Sequence, residues 1–312
     1  MNRFCIVGSL NMDMVTRMER FLRPGETMRG TSFTIFPGGK GANQAVALAK
    51  LGAKVEMIGA VGDEVLGHRY EEVLSGLGIG LRGLARVPGV STGTASIEVT
   101  AAGENHIVVV AGANDRVTPD YVESRRDIIE GCDILLLQLE IPIESVIAAA
   151  RIAARAGARV LLDPAPAREL PGELYPLVSI VTPNETEARI LTGEDTETDE
   201  GIARAGAALV ARGIRSAVIK AGGRGAFLAE SGGCARIPGF TVEVVDTVAA
   251  GDSFNAGLAL ALGEGASMSE AIRFANAVGA LSTTREGAQS AMPSRAEAEA
   301  LALSERGAGR PS

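Results

Sequence analysis

Short apolar runs alternate along this chain with longer Ala-rich stretches in which apolar positions recur at helical spacing. The runs at 4–8, 55–59, 133–139, 160–163, 180–182 and 217–220 are predicted as buried strands, and 42–51, 118–130, 144–156 and 252–262 as helices between many of them. Apolar strands separated by helical crossovers imply a mostly parallel sheet covered on both faces, hence an α/β fold. Ligands on such sheets sit beyond the carboxyl ends of the strands. Asn11, Glu140, Asp163 and Asn184 each follow a predicted strand by at most a few residues.

Two regions break this rhythm. Residues 13–37 and 91–111 carry two-residue alternation, visible in Thr94-Ala95-Ser96-Ile97-Glu98-Val99, with turn signals at Pro24-Gly25 and Gly103-Glu104-Asn105. They are expected to pair as hairpins in a small separate sheet. A sheet with one apolar face must cover something, either the site as a lid or another subunit. Neither repeats nor a long linker divides the chain, so 1–304 is expected to be one domain, and 305–312 a frayed tail.

Composition changes this picture little. The 312 residues are 46% hydrophobic and 22% charged, which describes an ordinary globular protein with a large core. A net charge of −8 argues against partners held by a basic field, so neither nucleic acid nor an anionic membrane surface is expected, and an anionic ligand must be held locally. Cys5, Cys132 and Cys234 lie far apart without metal-ligand spacing, as expected of buried free thiols in a reducing cytoplasm. His68 and His106 are isolated, which leaves little for a histidine-based triad or metal cluster. The start of the chain lacks a secretory pattern, and the apolar run at 134–143 is interrupted by Gln138 and Glu140, well short of a membrane span.

The chemistry concentrates in a few short segments. In 245–257, the small residues Ala249, Ala250 and Gly251 precede Asp252 at a predicted helix start. Uncovered helix N-terminal amides bind phosphate, and a neighbouring carboxylate accepts a proton, a pairing that suits phosphoryl transfer; an Asp that simply caps the helix is the plainer alternative. Gly38-Gly39-Lys40-Gly41-Ala42-Asn43 fits neither the Walker nor the dinucleotide spacing, which leaves backbone approach to a polar ligand with Lys40 and Asn43 as donors, or close helix packing through glycine. Asn11 and Asp13 point the same way if the chain there is extended, as a sugar site needs, although an Asx turn also uses such residues. Asn184 and Glu187 share a helix face at a spacing that suits water-mediated Mg²⁺ or a capping box. Ala221-Gly222-Gly223-Arg224-Gly225 allows a nucleotide to pass closely, or is a hairpin turn.

Taken in order, these segments resemble the ribokinase-like family of sugar and nucleoside kinases. The resemblance runs from about residue 4 to 303 and rests on 38–47, Ala-Gly-Ala-Asn at 111–114, Asp-Pro-Ala-Pro-Ala-Arg-Glu-Leu-Pro at 163–171, Thr-Pro-Asn-Glu-Thr-Glu at 182–187 and Asp-Thr-Val-Ala-Ala-Gly-Asp at 246–252. It implies a three-layer α/β/α fold with a β lid, a homodimer joined through that lid, and ATP-dependent phosphorylation of the D-ribose 5-hydroxyl. By the same resemblance, Asn11, Asp13, Gly39, Lys40, Asn43 and Glu140 contact the sugar. Asp252 is the base, and 249–252 form the anion hole. Asn184 and the loop Lys220, Ala221, Gly222, Gly223, Arg224 and Gly225 border ATP, with Asn276 near the adenine and Glu187 helping to place Mg²⁺. An activating K⁺ site is implied at Asp246, Val248, Ser282, Arg285, Gly287 and the position of Ala291. The wider family favours Gly where Ala249 stands, and Ala291 replaces a serine oxygen. A deoxyribose or nucleoside kinase shares these motifs, and a silent sugar-binding protein would keep Asn11, Asp13 and Asn43 without needing Asp252.

Overall fold

Ile58, Val7, Leu137, Leu162, Val181 and Ala217 stand side by side, one from each of six adjacent parallel strands, and all are buried. This row belongs to a nine-stranded sheet ordered β13 (Gly233–Ile237), β12 (Ala226–Glu230), β11 (Ser216–Lys220), β10 (Ile180–Val181), β9 (Arg159–Leu162), β8 (Ile134–Leu137), β1 (Arg3–Val7), β4 (Lys54–Gly62) and β5 (Gly80–Val87). All neighbours are parallel except β11–β12 and β12–β13. The computed structural model describes residues 3–304, so the expected tail at 305–312 lies outside the described residues.

The helices are α1 (Lys40–Lys50), α2 (Val65–Gly76), α3 (Pro119–Glu123), α4 (Arg126–Glu130), α5 (Ile143–Ala156), α6 (Glu185–Thr192), α7 (Asp199–Ala211), α8 (Ala250–Gly263), α9 (Met268–Ser282) and α10 (Arg295–Ser304). Alternate strand residues feed opposite cores: Ile6 and Leu136 pack with residues of α1, α8 and α9, whereas Val7 and Leu137 pack with those of α4 and α5. Helices thus cover both faces, giving the expected three layers. No helix among the described residues is long and apolar enough to cross a membrane.

The second sheet has the order β3 (Ser32–Gly38), β2 (Asn11–Met18), β6 (Gly93–Thr100), β7 (Asn105–Val110). Its two antiparallel hairpins are joined by the parallel pair β2–β6. Phe33 and the whole run Ile107, Val108, Val109 and Val110 are exposed, so apolar residues on both faces of this sheet are left uncovered within one chain.

Three expectations change. The predicted helix 118–130 is broken into α3 and α4, because the Ser124 hydroxyl donates to the Tyr121 carbonyl and Arg125 leaves helical geometry (φ −115°, ψ 16°). Strands β5, β12 and β13 are additions: β5 and β13 are the sheet edges, where partial burial erases the continuous apolar signal, and β12, buried from Ala226 to Ala229, pairs between β11 and β13. Cys5 and Cys132 are buried thiols as expected, but Cys234 is exposed on the edge strand β13.

Candidate active site

One residue beyond the aligned row, the strands β1, β8 and β9 deliver Gly8, Gln138 and Asp163 to the carboxyl edge of the sheet. Helices α1 and α8 begin above this edge. Ala249 turns the chain into α8 with φ +58° and ψ +15°, the one non-glycine residue in the left-handed region among the described residues. That conformation costs an L-residue roughly 1–2 kcal/mol. Here it reverses the chain so that Ala249, Ala250, Gly251 and Asp252 all face a cavity, and no side chain caps the helix end.

Asp252 is 4% exposed and accepts hydrogen bonds from Asn43 Nδ2 and Gln44 Nε2, each at 3.1 Å. Burial pushes its carboxyl up to about 6, opposed by the Lys40 charge and by those two hydrogen bonds and reinforced by Asp163. A group that titrates there is ionised at neutral pH yet still basic. Lys40 is pushed the other way by burial, but the surrounding carboxylates of Asp252, Asp163, Glu140 and Glu187 outweigh this and raise it.

The glycines of 38–41 serve close packing. A Cβ on Gly39, where φ is +85°, would stand 2.7 Å from the Asn11 backbone nitrogen, and one on Gly41 would stand 2.7 Å from the carbonyl carbon of Gly8. Their absence lets α1 begin against the β1–β2 connection. Glu140 then reaches the new helix end, accepting from the Lys40 amide at 3.0 Å and from the Ser9 hydroxyl. A side chain on Gly38 would collide with the Asp13 carboxylate. Asp13, pressed between this strand and two other acids, is pushed up to about 7 by burial and by the charges of Glu140 and Asp252. Asn11 is buried, and its Oδ1 accepts from Asn114 Nδ2 at 2.7 Å.

A cavity of about 730 Å³ extends from Lys40 and Asp252 across the start of α8 to Phe240 and Asn276. Asn184, Glu187, Lys220, Gly222, Gly223 and Gly225 line it, but Ala221 and Arg224 do not. Ala221 is buried, and Arg224 pairs with Glu185 and Asp199. The 221–225 segment is a hairpin turn between β11 and β12 whose glycines also form cavity wall. Asn276 lines the cavity while donating to the carbonyls of Ile237 and Pro238 at 3.2 and 3.0 Å. Asn184 and Glu187 form a capping box at the start of α6, which occupies Glu187 Oε2. Burial raises the Glu187 carboxyl, with Lys220 opposing.

The residues of the implied K⁺ site meet only in part. Asp246 accepts from the amides of Val248 at 3.0 Å and Gly287 at 2.9 Å, tying the loop before α8 to the one after α9. Ser282 donates to the Gly279 carbonyl, Arg285 pairs with Glu297, and Ala291 is buried, presenting no side-chain oxygen.

The model of the pfkB family carbohydrate kinases matches residues 1–295. The chain belongs to that family. A curated ribokinase of Haemophilus influenzae is 42% identical over 94% of this chain and 95% of its own length, and a deoxyribokinase of Salmonella typhi is 36% identical over 93% and 95%. The solved structure of Arabidopsis thaliana ribokinase complexed with ribose and ATP superposes with a TM-score of 0.92 at 35% identity, covering 96% of this chain and 98% of that one.

At this candidate site stand several polar residues that the sequence did not mark as functional. Gln44 Nε2 bonds both Asp252 and Asp163, and its Oε1 accepts from Gln138 Nε2 at 2.7 Å. Gln289 donates to Asn43 Oδ1 at 3.1 Å and to the hydroxyl of Tyr70, which in turn donates to the Gly38 carbonyl. Gln44 directly follows a motif residue, and Gln138 interrupts a buried strand run, so both carried a signal. Tyr70 and Gln289 carried none: folding alone brings them together.

Proposed function

We propose that this pfkB-family enzyme transfers the γ-phosphoryl group of ATP to the 5-hydroxyl of D-ribose. The reading is carried by one observation: a buried carboxylate, raised towards neutrality, beside an uncapped helix start that opens onto a cavity of nucleotide size. Similarity to the ribokinases supports the choice of sugar.

In this mechanism Asp252 takes the 5-hydroxyl proton while the sugar oxygen bonds to the γ-phosphorus. The bond from phosphorus to the bridging oxygen breaks, and its electron pair leaves on ADP. The amides of 249–252 stabilise charge on the moving group. Asn11, Asp13, Gly39, Lys40, Asn43 and Glu140 orient the sugar; Asn184, the 220–225 turn and Asn276 border the nucleotide. Mg²⁺ supplies charge neutralisation at the phosphates, and the Glu187 oxygen outside the capping box fits a water-mediated hold on it. Asp246, which links the loops flanking α8 and α9, fits an activating K⁺ that orders the anion hole, with a response weakened by Ala291. The exposed apolar lid surface supports a homodimer through the lid. Buried free thiols suit a reducing cytoplasm.

A second reading, 2-deoxyribose as preferred acceptor, is favoured by the deoxyribokinase relative. Asp13 separates the two. If it accepts hydrogen bonds from the 2- and 3-hydroxyls, a sugar without the 2-hydroxyl leaves it partly unpaired, which costs roughly 1–3 kcal/mol and favours ribose by about tenfold to a hundredfold in kcat/KM. A coupled ATP-consumption assay across ribose, deoxyribose, fructose and adenosine tests this. Ribose preference that narrows in Asp13→Ala supports the first reading; preference for deoxyribose overturns it, and turnover of no sugar rejects both.

A further inference from the structure

Lys220 ends β11 with its ammonium 3.0 Å from Asp163 Oδ1. The aspartate side chain is 2% exposed and the lysine 13%, and both residues line the cavity. A methyl group placed on Gly251 would find Lys220 Nζ as its nearest neighbour, at 3.2 Å. The ammonium therefore stands directly against the anion-hole backbone. Its counter-ion is also tied to the base: Gln44 Nε2 lies 3.2 Å from Asp163 Oδ2 and 3.1 Å from Asp252 Oδ1. Gln138 donates to Gln44 Oε1, which fixes the amide so that its NH₂ faces the two carboxylates.

We propose that Lys220 is a further catalytic residue, whose ammonium, held against Gly251 by Asp163, contacts an oxygen of the transferring phosphoryl group, while Gln44 acts as a positioning residue between Asp163 and Asp252. The proposal rests on the sugar-kinase reading above and adds a specific cation to it. Charge in phosphoryl transfer is spread over the equatorial oxygens, and a preorganised cation beside them needs no rearrangement as the reaction proceeds. Because Asp163 shares the ammonium before nucleotide arrives, the gain on simple nucleotide binding is small and the main effect falls on kcat. Lys220 gains and loses no proton in this role.

The test compares Lys220→Met, Lys220→Arg and the double variant Lys220→Met/Asp163→Asn, the last removing the buried carboxylate that the single change strands. The readouts are sugar-dependent ADP release, binding of ADP alone, and binding of ADP with aluminium fluoride and sugar as a mimic of the transferring group. Lys220→Met is expected to lose on the order of 10²–10³-fold in kcat, the range for one lost transition-state donor. ADP binding should change by less than about threefold, and the extra affinity conferred by fluoroaluminate should disappear; Arg should restore part of both. Recovery of turnover in the double variant would trace the loss to the stranded Asp163 and overturn the proposal. So would Lys220→Met retaining more than a third of wild-type turnover, or equal weakening of ADP and of its fluoroaluminate complex. A wild type that phosphorylates no sugar would instead reject the functional reading, and this proposal with it.

Discussion

Asn43 Nδ2 donates to Asp252 Oδ2 across 3.1 Å, joining the first turn of α1 to the first turn of α8 over 209 residues of sequence. The other carboxylate oxygen accepts from Gln44, the next residue along α1. Two consecutive residues of one helix thus orient both oxygens of the acid at the head of another. These bonds favour the ionised form and hold down a carboxyl that burial drives up to about 6.

Replacing Asp252 by Asn deletes the base at constant volume. Turnover is expected to fall by about 10²- to 10⁴-fold, with the fold and sugar affinity nearly intact. Steady-state kinetics beside calorimetric sugar binding check this; more than half of wild-type turnover removes Asp252 from the chemistry.

The base must be unprotonated, so wild-type kcat/KM should be flat above neutrality and fall about tenfold per pH unit below about 6, where the Asp252 carboxyl takes its proton. A pH–rate profile of the free enzyme measures this limb. An activity that does not decline down to pH 5 contradicts the assignment.

Asp13 gives a pH-dependent stability effect of known sign. Its folded-state carboxyl titrates at about 7 against an ordinary 3.8, so between these values the folded protein binds a proton that the unfolded chain lacks. Stability from this group is full below about 4 and lost as pH rises through 7. Asp13→Asn, which cannot ionise, should therefore stabilise the ligand-free protein at pH 8, by up to about 4 kcal/mol, with little gain at pH 4, while weakening sugar binding. Thermal melts at the two pH values decide it, since a gain of equal size at both would remove ionisation as the cause.

At Ala249 the left-handed backbone (φ +58°) predicts that Gly is better tolerated than Ala. Relief of about 1–2 kcal/mol, less the greater freedom of glycine when unfolded, leaves a net gain of roughly 0.5–1 kcal/mol for Ala249→Gly. Urea titration should show it, with turnover within about threefold of wild type. A less stable variant means that the Ala249 methyl makes contacts worth more than the strain.

On the lid, Phe33 is 60% and Val108 64% exposed on one face of the sheet, a surface suited to a second copy of the chain. Phe33→Lys and Val108→Glu should yield monomers and impair sugar retention together. Sedimentation at micromolar concentration tests this, and a wild type that is monomeric and fully active contradicts it.

The sequence alone determined the layered α/β plan, since apolar runs too short for helices and buried on both faces leave few other arrangements. It also located the lid hairpins, the small residues at 249–251 and the glycines of 38–41, because uncovered amides and close backbone approach demand small residues at particular positions. Its boundaries failed at the edge strands β5 and β13, where burial is partial, and where one hydroxyl, that of Ser124, competes with the helix for a carbonyl. Only the tertiary structure decided the partners. Asn43 and Gln44 against Asp252, Lys220 against Asp163, Asp246 against Gly287 and Tyr70 beside Gln289 are contacts between distant segments. Short-range pattern records how each segment is buried, whereas the pairing of polar groups, and the shift of Asp13 and Asp252 towards neutrality, arise only when packing removes water and brings like charges together.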